Sequence, residues 1–171
     1  EGEHYHLDGV VGTPPHSPDG PPILVAGGAK RMLRFAGAHA DIVGVNPSIH
    51  SGAIDADAAR DSLAERMDEK FAWVREGAGD RYDELEFNAW LAVAMVTDDA
   101  AAVAEMIAPG FGIPAEEAAT ALDSPMTLIG TVDEICDRLL ARRDRWGFSY
   151  HVVPADAVEA LAPVVARLAG T

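Results

Sequence analysis

The chain reads as an α/β protein built on a parallel sheet. Two observations predict this. Short apolar runs alternate with longer stretches whose apolar residues recur at helical spacing, an order that implies parallel strands joined by right-handed crossovers. The early runs are also nearly continuous in their apolar residues, as in strands covered on both faces.

The organising stretch runs from Pro21 to Leu33. Pro21 and Pro22 hold an extended lead-in, and Ile23, Leu24 and Val25 form a buried-strand run. Gly27 and Gly28 follow, after which Ala29, Met32, Leu33 and Ala36 recur at helical intervals. A strand, glycine turn and helix in that order present bare N–H groups at a helix N-terminus. The dipole there favours an anion by about 0.3–1 kcal/mol. Gly27, Gly28 and Ala29 are therefore candidate phosphate contacts, with Arg31 one turn in as a guanidinium that forks onto phosphate oxygens. The plainer alternative is that the two glycines only permit a tight turn.

Asp41 to Asn46 reads as a second buried strand, ended by Pro47. Asp55 or Asp57 then caps one long helix carrying Ala59, Leu63, Met67, Phe71 and Val74, with Gly77 and Gly79 as its stop. Residues 86–96 form a third strand, with Leu85, Phe87, Ala89, Leu91, Val93 and Met95 on one face. Asp98 caps a helix through Ile107, Pro109-Gly110 breaks it, and a short helix runs from Pro114 to Leu122. Thr131 and Glu134 have capping-box spacing ahead of an apolar stripe of Val132, Ile135, Cys136, Leu139, Leu140 and Trp146. Gly147 closes that helix, residues 148–153 make the fourth strand, and Val158, Leu161, Val165 and Leu168 mark a last helix. Residues 1–21 have loop composition, with a short edge strand around Tyr5 to Val10, and residues 22–171 form four βα units without an internal boundary.

Composition narrows the function classes. In 171 residues, 49% hydrophobic and 24% charged content describe a soluble globular domain. No apolar run reaches the ~18 residues of a membrane span, and the first residues lack a signal-peptide pattern. A net charge of −15 argues against general affinity for nucleic acid or anionic lipid, while leaving room for a local anion site. Cys136 is the single cysteine, which rules out an intrachain disulfide and fits a reducing, cytoplasmic setting. It lies in the apolar stripe and reads as core. His4, His6 and His16 lie in the lead-in without rigid spacing, so no metal site is assigned.

With these elements in place, the chain resembles the C-terminal half of the luciferase-like monooxygenase superfamily, most of all its coenzyme F420-dependent oxidoreductases. Three stretches carry the likeness: Pro21 to Gly28 with Met32 to Ala36 and Ala40 to Gly44; Pro125 to Thr131 leading into Glu134-Ile135; and Arg142-Arg143-Asp144 with Gly147 to Tyr150. The resemblance implies strands five to eight of a (β/α)8 TIM barrel, a fold that needs roughly 250 residues. Most of the chemistry, catalytic residues included, then belongs to an absent first half. It implies F420, with FMN as the alternative, bound by its phosphate at Gly27, Gly28, Ala29 and Arg31. It further implies a small-molecule substrate and a homodimer when full length.

Asn46 and His50 follow the second strand on the rim where barrel sites lie, and are candidate substrate contacts. The simpler reading of Asn46 is a turn residue before Pro47. His151 ends the last strand on the same rim, more simply as a hydrogen-bonded structural residue. Glu86 and Asn88 form a candidate polar layer of the barrel interior. Two other classes compete: a non-catalytic half-barrel that needs a partner chain, and a nicotinamide-binding Rossmann domain. The latter is disfavoured because Gly27-Gly28 lacks the G-x-G-x-x-G spacing.

Overall fold

The computed structural model describes residues 2–10, 20–49, 52 and 55–170. The prolines at 21 and 22 lead into β1 (Leu24–Gly27), followed by α1 (Lys30–His39), β2 (Ile42–Val45), α2 (Ala56–Arg60) and α3 (Ala64–Ala78). A 3-10 turn (Gly79–Glu84) reaches β3 (Glu86–Trp90), which is followed at once by β4 (Val93–Val96) and α4 (Ala100–Ile107). Two 3-10 segments (Ala108–Phe111 and Ala115–Asp123) lead to β5 (Thr127–Gly130), α5 (Val132–Trp146), β6 (Phe148–Val152) and α6 (Val158–Leu168). Residues 2–10 contain no strand, contrary to the edge strand expected around Tyr5 to Val10.

Strands β1, β2, β3 and β6 form one parallel sheet in that order, and β4 pairs with β5 in a second, two-stranded parallel sheet. The expected single strand over 86–96 is thus two strands. Leu91 N–H still donates to Val152 of β6 (2.9 Å), whereas Ala92 N–H donates to Met126, just before β5 (2.8 Å). At this change of partner the alternation slips by one residue. Phe87, Ala89 and Leu91 are buried, but beyond the slip Ala94 and Val96 pack inward and Met95 is exposed. The strand at Thr127–Gly130 was not expected. All four of its residues are buried, so it lacks the alternation by which a short strand announces itself.

Register decides which face is core. Val25, Val43, Val45, Phe87, Ala89 and Phe148 pack with Leu33, Met67, Phe71, Val74 and Trp146 of the helices. Phe71 is the hub, with ring centroids 5.1 Å from Phe87 and 5.2 Å from Phe148. Val25, Val43 and Val45 thus lie under the helices, not on the opposite face of the sheet. The opposite face carries Leu24, Ala26, Ile42, Gly44, Glu86, Asn88 and Tyr150, of which Leu24, Ala26, Glu86 and Tyr150 are exposed. Among the described residues, β1 and β6 each have one strand neighbour.

The helices begin and end where their sequences dictate, with three corrections. The long helix is broken at residues 61–63 into α2, capped by Asp55, and α3. Asp99, not Asp98, caps α4. Gly77 does not stop α3; Gly79 does, at φ 56°. Gly77 instead lies against the Arg34 carbonyl of α1, as Gly37 of α1 lies against the Val74 carbonyl, so the two helices touch backbone to backbone. Arg81 closes the far end of α1 by donating to Gly37 (2.7 Å) and Ala40 (2.8 Å) carbonyls. Thr131 and Glu134 form the expected capping box of α5, and Gly147 its left-handed cap. Of the α5 stripe, Ile135, Cys136 and Trp146 are buried, while Val132, Leu139 and Leu140 are partly so. Asp68 ties α3 to α5 by accepting from Arg145 and from Trp146 Nε1 (2.8 Å).

The glycine contact gives a direct test. Gly77→Ala should gain about 1 kcal/mol of helix propensity, yet its Cβ would overlap backbone that cannot swing away. An overpacking cost of about 1–3 kcal/mol should outweigh the gain, so the urea midpoint falls. A raised midpoint would mean that α1 and α3 separate freely.

Candidate functional site

The sequence-predicted residues converge on the carboxyl ends of β1 and β2. Gly27 is the last residue of β1, and its carbonyl accepts from Asn46 N–H (2.9 Å), extending the ladder one step beyond β2. A Cβ at position 27 would fall 2.5 Å from Met32 Cγ, so this glycine lets the first turn of α1 fold down on the strand. Gly28 is buried, and a Cβ there would run into the Pro47–Ser48 backbone. Glycine at 28 is therefore required by the close approach of two loops.

Beyond Gly28 the turn opens to solvent. Ala29 is the extended N-cap residue of α1 (φ −91°, ψ 147°) and supplies no side-chain cap, nor does the first turn hold an acidic residue. The first intrahelical bond runs from Leu33 N–H to the Ala29 carbonyl (3.0 Å). This leaves the N–H groups of Ala29, Lys30, Arg31 and Met32 as the unpaired donors of a helix start. Lys30, Arg31 and Arg34 bound an open concavity of about 450 Å³ beside them. Lys30 and Arg34 also share Glu76, at 3.6 and 3.5 Å, whereas the exposed Arg31 guanidinium makes no ion pair among the described residues. Neither Lys30 nor Arg34 was picked out from the sequence.

Beneath the turn lies a charged pair that the sequence reading missed. Lys70 of α3 has no exposed surface. Its Nζ donates to the Gly28 carbonyl (2.6 Å) and to Asp61 Oδ2 (2.7 Å). Asp61 Oδ2 also accepts from Ser48 N–H (2.8 Å), and Asp61 Oδ1 from Arg66 Nε (3.0 Å). Burial pushes the Asp61 carboxyl up, but the hydrogen bonds from Lys70, Ser48 and Arg66 more than offset this and hold it below its ordinary value. For Lys70 burial prevails, and its ammonium lies below the ordinary lysine range. The signal was present in the sequence. Lys70 interrupts the apolar spacing of Met67, Phe71 and Val74 from within the buried face.

The remaining candidates are dispersed. The Asn46 side chain, half-buried at the rim, makes no hydrogen bond among the described residues. His50 lies outside the described residues. Glu86 and Asn88 share the uncovered sheet face, where Asn88 Nδ2 donates to the Tyr150 carbonyl (3.2 Å) and Glu86 is exposed. His151 pairs in register with Ala89 and so faces the helices, not the uncovered side. It lines an apolar cavity of about 460 Å³ together with Leu128, Leu139, Val153 and Leu161, and its Nε2 has no partner there. The expectation of a hydrogen-bonded imidazole is thus not met at that nitrogen. Burial first, and Arg142 second, depress its pKa to about 4.

No family model matches the chain, and no curated protein matches it. Solved structures share its fold, among them a reductase and a monooxygenase. Coenzyme F420-dependent tetrahydromethanopterin reductase from Methanopyrus kandleri aligns with a TM-score of 0.53 at 18% identity, over 84% of this chain and 48% of the reductase. Long-chain alkane monooxygenase (LadA) aligns with a TM-score of 0.54 at 18% identity, over 87% of this chain and 41% of the monooxygenase. The chain spans less than half the length of either, and the likeness is one of fold. Among the described residues, no helix is long and apolar enough to cross a membrane.

The His151 environment carries a pH signature. An unfolded chain protonates this imidazole near 6.5, the folded chain only near 4. Between those values the unfolded state binds the extra proton, so His151 lowers stability progressively as pH falls from 6.5 towards 4. His151→Leu should flatten that part of the profile in urea unfolding. An unchanged slope would show an imidazole that protonates freely in the fold.

Proposed function

We propose that this chain is the C-terminal half of a (β/α)8 oxidoreductase of the luciferase-like monooxygenase type, holding the phosphate of coenzyme F420 at the start of α1. The observation that carries the reading is the uncapped α1 N-terminus at the carboxyl end of β1, flanked by Lys30, Arg31 and Arg34 on a chain of net charge −15. Barrel enzymes keep their sites at that end of the sheet, and a helix start is a ready anion site. The resemblance in the β1–α1 block and the fold shared with a reductase and a monooxygenase support the same reading.

The donor set fits a phosphate. Ala29, Lys30 and Arg31 offer backbone N–H groups free of side-chain competition, and Arg31 adds a guanidinium that makes no ion pair among the described residues. The cofactor, when bound, supplies hydride transfer to or from a small organic substrate. The chain's own part is to anchor and orient the cofactor tail. FMN carries the same kind of phosphate, so the turn serves either cofactor, and the absorbance spectrum of the bound species separates them. Asn46 lies at the same rim, its side-chain amide without a hydrogen bond among the described residues, and is the candidate substrate contact, together with His50. The full-length assembly would be a homodimer acting on a small molecule.

A second reading, a half-barrel that functions only after pairing with another chain, draws on the uncovered sheet face and the single-neighbour edges of β1 and β6. Such edges invite further strands. The two readings differ in what completes the sheet. Coexpression with candidate complementary βα fragments, followed by size-exclusion chromatography, distinguishes them.

Isothermal titration with F420 and FMN at two ionic strengths tests the anion site. Arg31→Ala should weaken binding by about 2–10-fold at low salt, the worth of one charge-assisted contact at an exposed site, and reduce the salt dependence. Unchanged affinity and salt slope would move the phosphate away from α1.

A further inference from the structure

We infer that Lys70 is a positioning residue for the anion site, setting the orientation of the Gly28–Ala29 peptide without touching the ligand. The inference rests on the reading that an anion binds at the start of α1. A trans peptide points its C=O and N–H in opposite directions. Lys70 Nζ, wholly buried, holds the Gly28 carbonyl from the protein side at 2.6 Å. The Ala29 N–H of the same peptide is thereby turned outward, beside Lys30 and Arg31 at the open mouth.

Glycine makes this clamp necessary. With no Cβ, residue 28 tolerates peptide orientations that other residues forbid, so the turn does not define its own N–H direction. The second half of the clamp is Asp61. One of its oxygens accepts from both Lys70 Nζ and Ser48 N–H, which holds the Pro47–Ser48 backbone against the open side of Gly28. A single ion pair therefore fixes the loops after β1 and β2 relative to each other. A buried ion pair is a poor stabiliser compared with apolar packing of the same volume, so its energetic worth alone gives little reason for a lysine here. The orientation of a ligand-binding peptide does.

The test uses the full chain and inorganic phosphate as the probe. Three proteins are compared by ¹⁵N and ¹³C NMR: wild type, the double variant Lys70→Met with Asp61→Asn, and Lys70→Gln. The double variant removes both charges together, so neither is left alone in the interior, and Asn keeps an acceptor for Ser48. Gln keeps a neutral donor towards Gly28. Peptide orientation is read without ligand from the Gly28 carbonyl shift and Ala29 amide exchange. Cooperative urea unfolding establishes that each variant is folded. In wild type, phosphate should shift the Ala29, Lys30 and Arg31 amides saturably. The double variant should change the ligand-free Gly28 and Ala29 signals and raise the phosphate Kd about tenfold or more, the scale of a charge-assisted hydrogen bond. Lys70→Gln should recover part of both.

A folded double variant that binds phosphate within about twofold of wild type would overturn the positioning role, as would unchanged ligand-free signals. A wild type that shows no saturable shift at Ala29, Lys30 and Arg31 would instead overturn the anion site itself. In that event the ligand-free signals still report whether Lys70 orients the peptide, so the two failures are distinguishable.

Discussion

The buried contact between Lys70 and Asp61 is the constraint on which the carboxyl end of this sheet depends. An ammonium with no exposed surface must find its hydrogen bonds within the protein. Lys70 finds them in one carboxylate and one main-chain carbonyl, and these two partners come from different loops. The interruption between α2 and α3 belongs to the same arrangement. Asp61 stands at the break, where its side chain reaches Ser48, Arg66 and Lys70 together. Ser62, next in sequence, is also buried and bonds Ser124 across to the segment before β5. A continuous helix over residues 56–78 would carry these groups on a regular spiral, and the break supplies the extra direction.

The sheet itself is unequal on its two faces. Aromatic and β-branched side chains fill the helix side around Phe71, with α1 and α3 pressed together through Gly37 and Gly77. The other side exposes Leu24, Trp90 and Tyr150 near Glu86 and Asn88. Parallel sheets are ordinarily covered on both faces, and among the described residues this side is the less covered of the two. The unfilled cavity between α5, α6 and β6, into which His151 presents an unpaired nitrogen, borders the other single-neighbour edge.

The start of α1 differs in charge from the chain as a whole. The chain is strongly acidic, yet the α1 terminus gathers Lys30, Arg31 and Arg34 on one side of its free N–H groups. Glu76 of α3 pairs with two of these cations, and Arg31 makes no ion pair among the described residues. The local excess of cations is therefore opposite in sign to the net charge of the whole molecule. Such an arrangement favours a small anion over a large polyanionic surface.

The sequence by itself determined what local chemistry can specify. The Thr131 and Glu134 capping box, the Gly147 stop, the proline-led first strand and the parallel alternation of strands and helices were all legible, because each depends on residues a few positions apart. So was the glycine turn as a place, although not its internal geometry. Tertiary structure alone decided the rest. Residues 86–96 read as one strand because extended conformation is local, but the change of partner after Leu91 depends on where β6 ends and β5 begins. Residues 127–130 carry no alternation because both of their faces are covered, a condition set by distant segments. Which face of β1 and β2 is core followed from the position of α3, not from their own apolar runs. Lys70 showed in the sequence only as a misfit in an apolar stripe. Its partners lie 42 and 9 residues away, and only the folded chain brings the Gly28 carbonyl and the Asp61 carboxylate to the same ammonium.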